Sequence, residues 1–364
     1  MQATQSLRFS RKDPKQFFKT LNQRVNKYFK EKKVHKTGNW KLYAKTVVMF
    51  ALLITPYVLI IVLNISLWYK LLLAIVMGVG MAGIGMNVMH DGNHGSFSKY
   101  PWINKIMGSS IYFLAGNVFN WKIQHNLLHH TYTNIHGHDE DLEAGRVLRF
   151  SKHAEWMPHH RFQHLYFFFL YGLLTINWAI FTDLQQMKRY LKKKLSYTNS
   201  KRPSLQWIGL FITKVMYWSV WIIIPIILIN APWWSVLIGF VAMHYTAGLI
   251  LSLVFQLAHI MEDAEMPMPE ASGTMKNTWA IHQLLTTVNF STKNRFVNWF
   301  TGGLNHQIEH HIFPHISHVH YTKIAEIVKK TAQEFNLPYN EYKTTRSAIL
   351  SHFRFLKQMG MQPS

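Results

Sequence analysis

Four long apolar stretches constrain the fold of this chain more than any other feature of its sequence. They are residues 46–67, 71–89, 208–229 and 235–257. A helix of about 20 apolar residues crosses the roughly 30 Å hydrocarbon core of a bilayer. Because short uncharged or singly charged turns (68–70 and 230–234) separate the members of each pair, the sequence predicts two transmembrane hairpins. Lys214, the one charged residue in these stretches, lies close enough to one helix end to snorkel.

Two further apolar runs are predicted to lie on one face of the membrane. Residues 106–119 are too short to span and suit a re-entrant or interfacial helix. Residues 165–182 are long enough to span, but seven Lys and Arg follow between positions 188 and 202. Positive charge accumulates on the cytosolic side of membrane proteins, so this run is predicted to stay on that side. Four spans then put both termini and every histidine cluster on the cytosolic face.

The composition excludes several classes of protein. The chain has 364 residues, a formal net charge of +22 and 15% charged residues, whereas soluble domains have roughly 25%. Because there is no Cys, disulfide frameworks and Cys-ligated zinc or iron–sulfur sites are excluded, and a metal would need nitrogen or oxygen ligands. The 13 Lys and Arg before residue 46 are predicted to bind anionic membrane lipids, with no nucleic acid partner.

These features predict an all-α integral membrane protein. Its four transmembrane helices form two hairpins, and a helical cytosolic cap holds a histidine-rich site. In this prediction residues 1–45 are a basic cytosolic segment, residues 46–345 are the membrane domain, and residues 346–364 are a C-terminal tail.

Histidine is strongly clustered in this sequence. Of 22 histidines, eleven lie between His90 and His164 and six between His306 and His320. Three clusters are short boxes: box 1 is HDGNH (90–94), box 2 is HNLLHH (125–130) and box 3 is QIEHH (307–311). His259 follows the fourth apolar stretch. In a helix, histidines four residues apart share one face and can chelate one ion, and the last histidine of the second box points about 100° away. The candidate metal ligands are His90, His94, His125, His129, His130, His259, Gln307, His310 and His311.

The number and type of these ligands predict two metal ions. Eight imidazoles exceed the ligands of one zinc site, and a carboxylate-rich magnesium site is absent. Imidazole suits several metals, but a histidine site facing a hydrocarbon-filled membrane favours iron, which can activate O2 to attack C–H bonds. A histidine-rich metal transporter is the alternative from another class. Such a protein needs ionisable residues at the bilayer midplane, and apart from Lys214 and His244 these spans have none.

The three boxes, in this order and between two hydrophobic hairpins, resemble those of the membrane fatty acid desaturases. HHTYTNIHGHDED after the second box and GGLNHQIEHHIFPHISHVHY around the third are similar to the front-end branch, which includes bacterial Δ6 (linoleoyl-CoA-type) enzymes. The resemblance covers residues 45–345. It implies a di-iron centre that uses O2 and two electrons to insert a cis double bond into a fatty acyl chain. An acyl-chain or alkane hydroxylase on the same scaffold is the alternative.

Box by box, the resemblance implies that the nine candidate ligands listed above bind the iron ions. Gln307 stands where many relatives have a histidine, and the neighbouring His306 competes for that role. No separate catalytic acid or base is assigned. Because ligating histidines usually donate their second N–H to an acceptor, Asp91, Asp139, Asp141 and Glu309 are candidate supports. Trp279, His282 and Asn289 lie in a stretch that resembles one near the family's substrate channel.

The resemblance also implies partners and a location. The substrate is a fatty acyl-CoA or acyl-lipid. The His-Pro-Gly-Gly signature of a fused cytochrome b5 domain is absent, so electrons are expected from a separate ferredoxin or cytochrome b5-like protein. The predicted location is the bacterial inner membrane.

Overall fold

The computed structural model describes residues 7–11, 13, 16–195 and 203–361, and these residues are mainly helical. The α-helices are Phe17–Lys32, Trp40–Val62, Leu67–Ile84, His90–His94, Pro101–Gly108, Val118–Trp121, His130–Tyr132, Gln163–Gly172, Leu174–Asn177, Asp183–Lys192, Pro203–Trp218, Ile224–Leu228, Trp233–His259, Trp279–Thr286, Arg295–Phe300, Gln307–Ile312, Tyr321–Glu334 and Thr345–Met359. Wider π-helical turns are found at Gly85–Met89, Lys122–His129, Trp178–Thr182 and Ser219–Ile223. Tighter 3-10 turns are found at Ser109–Leu114, Glu140–Leu142, Pro158–Phe162 and His318–His320.

Two pairs of two-residue strands complete the secondary structure. Arg8–Phe9 is parallel to Thr274–Met275, and Asn289–Phe290 is parallel to Glu341–Tyr342. The chain divides into two compact units. We call residues 1–37, 128–166 and 255–364 the terminal unit, because it contains both chain ends. Residues 38–127 and 167–254 are the span unit.

Four helices are long and apolar enough to cross a membrane, as the sequence predicts. Spans 1 to 4 are Trp40–Val62, Leu67–His94, Pro203–Leu228 and Trp233–His259. Span 1 begins six residues before the predicted start because Asn39 caps it, accepting a hydrogen bond from the backbone N–H of Lys41. Span 2 continues through the π-helical turn into box 1, so His90 and His94 belong to its last turns.

The turns of the two hairpins differ from the prediction. Span 1 ends at Val62 and span 2 starts at Leu67, so residues 68–70, which were predicted to form the turn, lie in the first turn of span 2. Span 4 begins at Trp233, directly after Pro232, inside the predicted second turn. Hydropathy identifies the apolar residues but not the positions where the helices end. At the first turn the backbone of Leu63 and of Ser66 is extended, which ends span 1 and starts span 2.

The run at 165–182 is broken rather than continuous. Its helices, Pro158–Gly172 and Leu174–Lys192, meet at an angle of 58°. Of the seven cations that follow this run, Lys201 and Arg202 lie outside the described residues. The shorter run at 106–119 contains the end of helix Pro101–Gly108 and a 3-10 turn.

The prediction that Lys214 snorkels is wrong. Its Nζ atom donates hydrogen bonds to the carbonyl oxygens of Ala115 at 2.6 Å and Trp178 at 2.7 Å. It also lies 2.9 Å from a carboxylate oxygen of Asp183. The ammonium is therefore held inside the span unit, because protein acceptors replace the water that a snorkelling lysine reaches.

The N-terminal segment is part of the terminal unit. Helix Phe17–Lys32 buries one side chain per turn, and these residues enter the core of that unit. They are Phe17, Leu21, Val25 and Phe29. Lys19, Lys27 and Lys30 lie on the exposed face of the same helix. The segment predicted only to bind lipid therefore has a structural role as well.

The predicted tail at 346–364 is also a structural element. Helix Thr345–Met359 buries Phe355 and Leu356 in the terminal unit. The Gln163 amide donates to the carbonyl oxygen of Leu356 at 2.8 Å, and Arg149 donates to that of Met359 at 2.8 Å. The folded region consequently continues at least to the end of this helix.

Candidate metal centre

In the span unit, three of the predicted ligands converge. One ring nitrogen each of His90, His94 and His125 lies within 4.8 Å of the others. The Nε2 atoms of His90 and His125 are 3.2 Å apart. A neutral imidazole has one N–H donor and one lone pair, so three converging rings cannot all satisfy one another. A metal ion that accepts all three lone pairs fits this arrangement.

Backbone contacts position these three histidines. Gly92, in the middle of box 1, packs against the backbone of Gly108, where a Cβ atom would clash. The Asn93 amide donates to the carbonyl oxygen of Gly108 at 3.1 Å. The Asn126 amide donates to the carbonyl oxygen of Asn93, also at 3.1 Å. Because Asn126 follows His125 directly, the last bond fixes the start of box 2, residues 125–127, against box 1 within the span unit.

Trp121 lies beside the same histidines and was not among the predicted site residues. Its ring stacks on that of His125 with a centroid separation of 4.4 Å and an angle of 27°. The centroids of His90 and His94 are 5.8 Å and 5.6 Å from it. Trp121 precedes His125 by four residues, so the spacing that pairs the histidines also indicates this residue. It gives the three rings an apolar wall.

In the terminal unit, His129, His259 and His311 form a nearly equilateral triangle. Their ring centroids are 4.7, 4.8 and 4.8 Å apart. One nitrogen from each ring lies within 4.8 Å of the others, and all three residues are buried. His130 and His310 form a second group with His311. Five of the eight predicted histidine ligands therefore belong to the terminal unit and three to the span unit.

Gln307 and His306 have different neighbours in the structure. The Gln307 amide nitrogen lies 2.8 Å from Nε2 of His259 and 3.4 Å from Nε2 of His311. Rotation of the amide by 180° would bring its oxygen, a metal ligand, to the same position. That oxygen is buried without a hydrogen-bond partner among the described residues. His306 Nδ1 instead faces Glu309, 3.6 Å from its carboxylate.

Two of the predicted acidic supports lie beside His129. Its Nδ1 atom is 3.0 Å from an oxygen of Asp139 and 3.3 Å from an oxygen of Asp141. Burial alone would lower the pKa of His129, but the attraction and hydrogen bond of Asp139, aided by Asp141, raise it above the usual value. The carboxylates thus fix Nδ1 as the protonated nitrogen and leave Nε2 for a metal.

Asp91 and Glu309 make different contacts. The Asp91 carboxylate is 3.9 Å from Nδ1 of His90, which exceeds hydrogen-bond length. Glu309 accepts hydrogen bonds from the Asn289 amide at 2.8 Å and from the Tyr339 hydroxyl at 3.0 Å. The Asn289 amide oxygen also accepts the backbone N–H of Ile308 at 3.0 Å, so Asn289 braces box 3.

Neutral side chains outside the boxes support other histidines of the terminal unit. Nδ1 of His311 lies 2.8 Å from Oε1 of Gln283, whose amide nitrogen donates to the carbonyl oxygen of His130 at 3.1 Å. Nδ1 of His310 lies 3.1 Å from the hydroxyl of Tyr321. Gln283 and Tyr321 were not among the predicted site residues, because neither lies in a histidine box.

Trp279 and His282 contact the backbone of the second box and the residues that follow it. The Trp279 indole donates to the carbonyl oxygen of His130 at 3.0 Å, and a ring nitrogen of His282 lies 2.8 Å from that of Thr133. Burial lowers the pKa of His282 to about 4, so this residue is neutral near pH 7. These residues, predicted near a substrate channel, have positioning contacts in the structure.

Comparison of the sequence with protein-family models gives a match that includes these residues. The model of the family described as "Fatty acid desaturase" matches residues 66–343, about three quarters of the chain. This chain belongs to the fatty acid desaturase family. The matched range contains all three boxes, His259 and every candidate support.

Relatives of this desaturase place it in the front-end branch. It is 37% identical to the sn-1 linoleoyl-lipid 6-desaturase of Arthrospira platensis, over 95% of this chain and 93% of that protein. It is 34% identical to the protein of the same name from Synechocystis sp., over 99% of each chain. The acyl-lipid (8-3)-desaturase of Physcomitrium patens is 32% identical, over 98% of this chain and 74% of that protein. The hydroxylase alternative is not favoured.

Proposed function

We propose that this desaturase inserts a cis double bond at the Δ6 position of a fatty acyl chain carried by a membrane glycerolipid. The observation that carries this proposal is the full-length similarity to two sn-1 linoleoyl-lipid 6-desaturases. The reaction removes one hydrogen from each of two neighbouring carbons. Together with two electrons and two protons, these hydrogens reduce O2 to two molecules of water.

Two iron ions are the proposed cofactors. The converging histidines of the span unit and the His129, His259 and His311 triangle support one ion each, with further donors from His130, His310 and Gln307. Iron bound there would supply the O2 activation that desaturation requires. Burial of the imidazoles excludes bulk water from the reacting groups, which limits side reactions of the oxidant.

The side chains around the ligands have proposed positioning roles. Asp139 and Asp141 orient His129, and Gln283 orients His311 while it holds the backbone of His130. Supports of this kind fix the tautomer and the direction of a ligating ring. Trp121 would shield the span-unit histidines.

The electron donor is proposed to be an acidic ferredoxin or cytochrome b5-like protein. The net charge of +22 and the exposed lysines of helix Phe17–Lys32 support attraction of such a partner. Steering between exposed charges weakens as the Debye length falls from about 10 Å at 0.1 M salt to about 3 Å at 1 M. With limiting donor, turnover should fall steeply as salt rises, while a single turnover of chemically reduced enzyme should not. Equal responses of the two rates would contradict electrostatic docking.

The orientation in the membrane is proposed from charge alone. Both termini and the segment 188–202 would lie in the cytosol. A cysteine at Lys193, in a chain with no native Cys, should be protected from an impermeant thiol reagent in intact cells. Labelling from outside would show that the broken run at 165–182 crosses the membrane.

The substrate proposal is tested by expression in a bacterial host that is fed linoleic acid. Gas chromatography and mass spectrometry of the methyl esters should show a product two mass units lighter with a new Δ6 double bond. Pulse-labelled product should appear first in the glycerolipid fraction. A gain of one oxygen would indicate a hydroxylase, and first appearance in the acyl-CoA pool would contradict the glycerolipid carrier.

A further inference from the structure

A cavity of about 390 Å³ lies within the span unit, at the end of the spans that carries the two hairpin turns. Its lining includes residues of all four spans. Among them are Tyr57, Lys70, Trp221, Trp234 and Gly239. Lys70 precedes His90 by 20 residues along span 2, which is about 30 Å of helix. The cavity is therefore separate from the histidine site.

The interior of this cavity suits an apolar ligand. The Tyr57 hydroxyl donates to the carbonyl oxygen of Val220 at 2.6 Å, and the Ser235 hydroxyl donates to that of Pro232 at 2.7 Å. These lining hydroxyls thus point their donors at the protein. Away from Lys70 the described lining is mainly apolar, and apolar cavities accept apolar ligands. The volume falls within the roughly 300–1,000 Å³ range of ligand pockets.

One charged side chain lines the cavity, and its position suggests the polar part of the ligand. The Lys70 ammonium donates one hydrogen bond to the carbonyl oxygen of Ile60 at 2.9 Å, and an ammonium has three N–H donors. Trp68 and Trp233, near the same ends of the spans, are 78% and 62% exposed. Tryptophan is enriched at headgroup level in membrane proteins. We therefore expect Lys70 to lie at the depth of the lipid phosphates.

We propose that this cavity binds an acyl chain of an anionic phospholipid whose phosphate contacts Lys70. The acyl chain fills the apolar space between the two hairpins, and the ammonium selects the negative headgroup. A ligand that binds only the folded state stabilises it. The lipid therefore stabilises the packing of spans 1 and 2 against spans 3 and 4 at the end opposite to box 1.

Two glycines allow a matched test. A Cβ atom on Gly239 would meet only the Cβ of Ala74, at the ordinary contact distance of 3.8 Å. Gly239→Leu therefore fits the backbone and fills the cavity. A Cβ atom on Gly209, in span 3, would have no neighbour within 4 Å, and Gly209 does not line the cavity. Gly209→Leu adds the same side chain to a surface outside the cavity and serves as the control.

The experiment measures lipid binding to the purified full chain in detergent by native mass spectrometry, with dioleoyl-phosphatidylglycerol as the probe. Wild type and Gly209→Leu should retain one lipid per chain. Gly239→Leu should bind it about tenfold more weakly, which corresponds to the loss of about two buried methylene groups. Gel filtration and circular dichroism show whether each variant is folded.

Lys70→Gln tests the headgroup independently, since it removes the charge and leaves every other lining residue unchanged. It should weaken binding of phosphatidylglycerol and remove the preference over dioleoyl-phosphatidylcholine. Equal binding by Gly239→Leu and Gly209→Leu would overturn the site, as would an unchanged preference in Lys70→Gln. Gel filtration that shows a larger oligomer for wild type than for Gly239→Leu, with equal lipid binding, would overturn the lipid proposal and mean that the cavity binds a second copy of the chain.

Discussion

The span unit and the terminal unit support their histidines by different means. In the terminal unit, His129 faces two carboxylates directly, at 3.0 and 3.3 Å. In the span unit, the carboxylate of Asp91 stays 3.9 Å from His90, and the histidines are positioned by a glycine contact, two asparagine amides and Trp121. Carboxylates contact a histidine directly in the terminal unit, whereas packing and amide hydrogen bonds position the histidines of the span unit.

In the span unit, one pair of charged groups reaches the histidines only through other residues. Asp183 accepts a hydrogen bond from the Asn120 amide at 3.1 Å and pairs with Lys214 at 2.9 Å. Asn120 immediately precedes Trp121, which stacks on His125. Ionisable groups are costly in an apolar membrane environment unless they are paired. In the span unit, Asp183 is thus paired with Lys214 and reaches His125 only through the neutral residues Asn120 and Trp121.

Loss of one histidine from either unit should have the largest effect. We expect wild type to contain about two iron atoms per chain. His94→Ala and His259→Ala should each retain about one iron atom and lose turnover, because one set of three histidines is reduced to two. Elemental analysis and product assays measure both quantities. Full iron content with normal turnover in either variant would remove that histidine from the site. Stoichiometric zinc in active wild type would contradict iron altogether.

Breaking the buried ion pair of the span unit should have the next largest effect. Lys214→Met leaves Asp183 buried without its cation, which costs about 3–5 kcal/mol of stability. The matched change Arg24→Met removes the exposed pair with Glu334 in the terminal unit, and we expect no measurable loss. Thermal unfolding in detergent compares the two variants. Similar stability of both would show that the buried pair is dispensable.

Removal of a single carboxylate should separate the two modes of support. Asp139→Asn should weaken iron binding by about 10–100-fold, because supports of ligating histidines typically contribute this much. Asp91→Asn should have a smaller effect, since its carboxylate does not reach His90 at hydrogen-bond distance. Iron retention during dialysis against a chelator gives both values. A larger loss in Asp91→Asn would reverse the comparison between the units.

The smallest expected effect concerns Gln307. Gln307→Ala should lower turnover by about tenfold without loss of an iron atom, as expected for one neutral donor beside stronger ligands. Gln307→His should retain activity, because an imidazole can take the same position. His306→Gln should change turnover less than Gln307→Ala, since His306 faces Glu309. The opposite order of these two variants would assign the ligand to His306.

The sequence was sufficient for the number of spans and for the histidines that converge. Spans are visible because length and apolarity must match the bilayer, and the boxes are visible because ligand spacing is local. The family resemblance added the front-end branch, which the relatives confirm. The two-iron stoichiometry stays a prediction.

Other features depend on contacts between residues distant in sequence. Trp279 and Gln283 reach the carbonyl oxygen of His130 across 149 and 153 positions, and no local pattern encodes such bonds. Lys214 does not snorkel because its ammonium donates hydrogen bonds to the carbonyl oxygens of Ala115 and Trp178. Hydropathy does not reveal these acceptors. The turns between spans were misplaced because Trp68 and Lys70 are compatible both with a turn and with a helix end at the interface.

The π-helical turns have a consequence for how sequences of this kind can change length. A π turn closes its hydrogen bond over five residues instead of four, so it accommodates one residue more than the α-helix around it. One such turn, Gly85–Met89, directly precedes box 1, and another, Lys122–His129, contains most of box 2. Deleting one residue from an ordinary helix rotates everything beyond it by about 100°. At Gly85–Met89 the same deletion would convert the wide turn into α-helix, so the gap would be absorbed locally, and alignments of distant homologues should place single-residue gaps there.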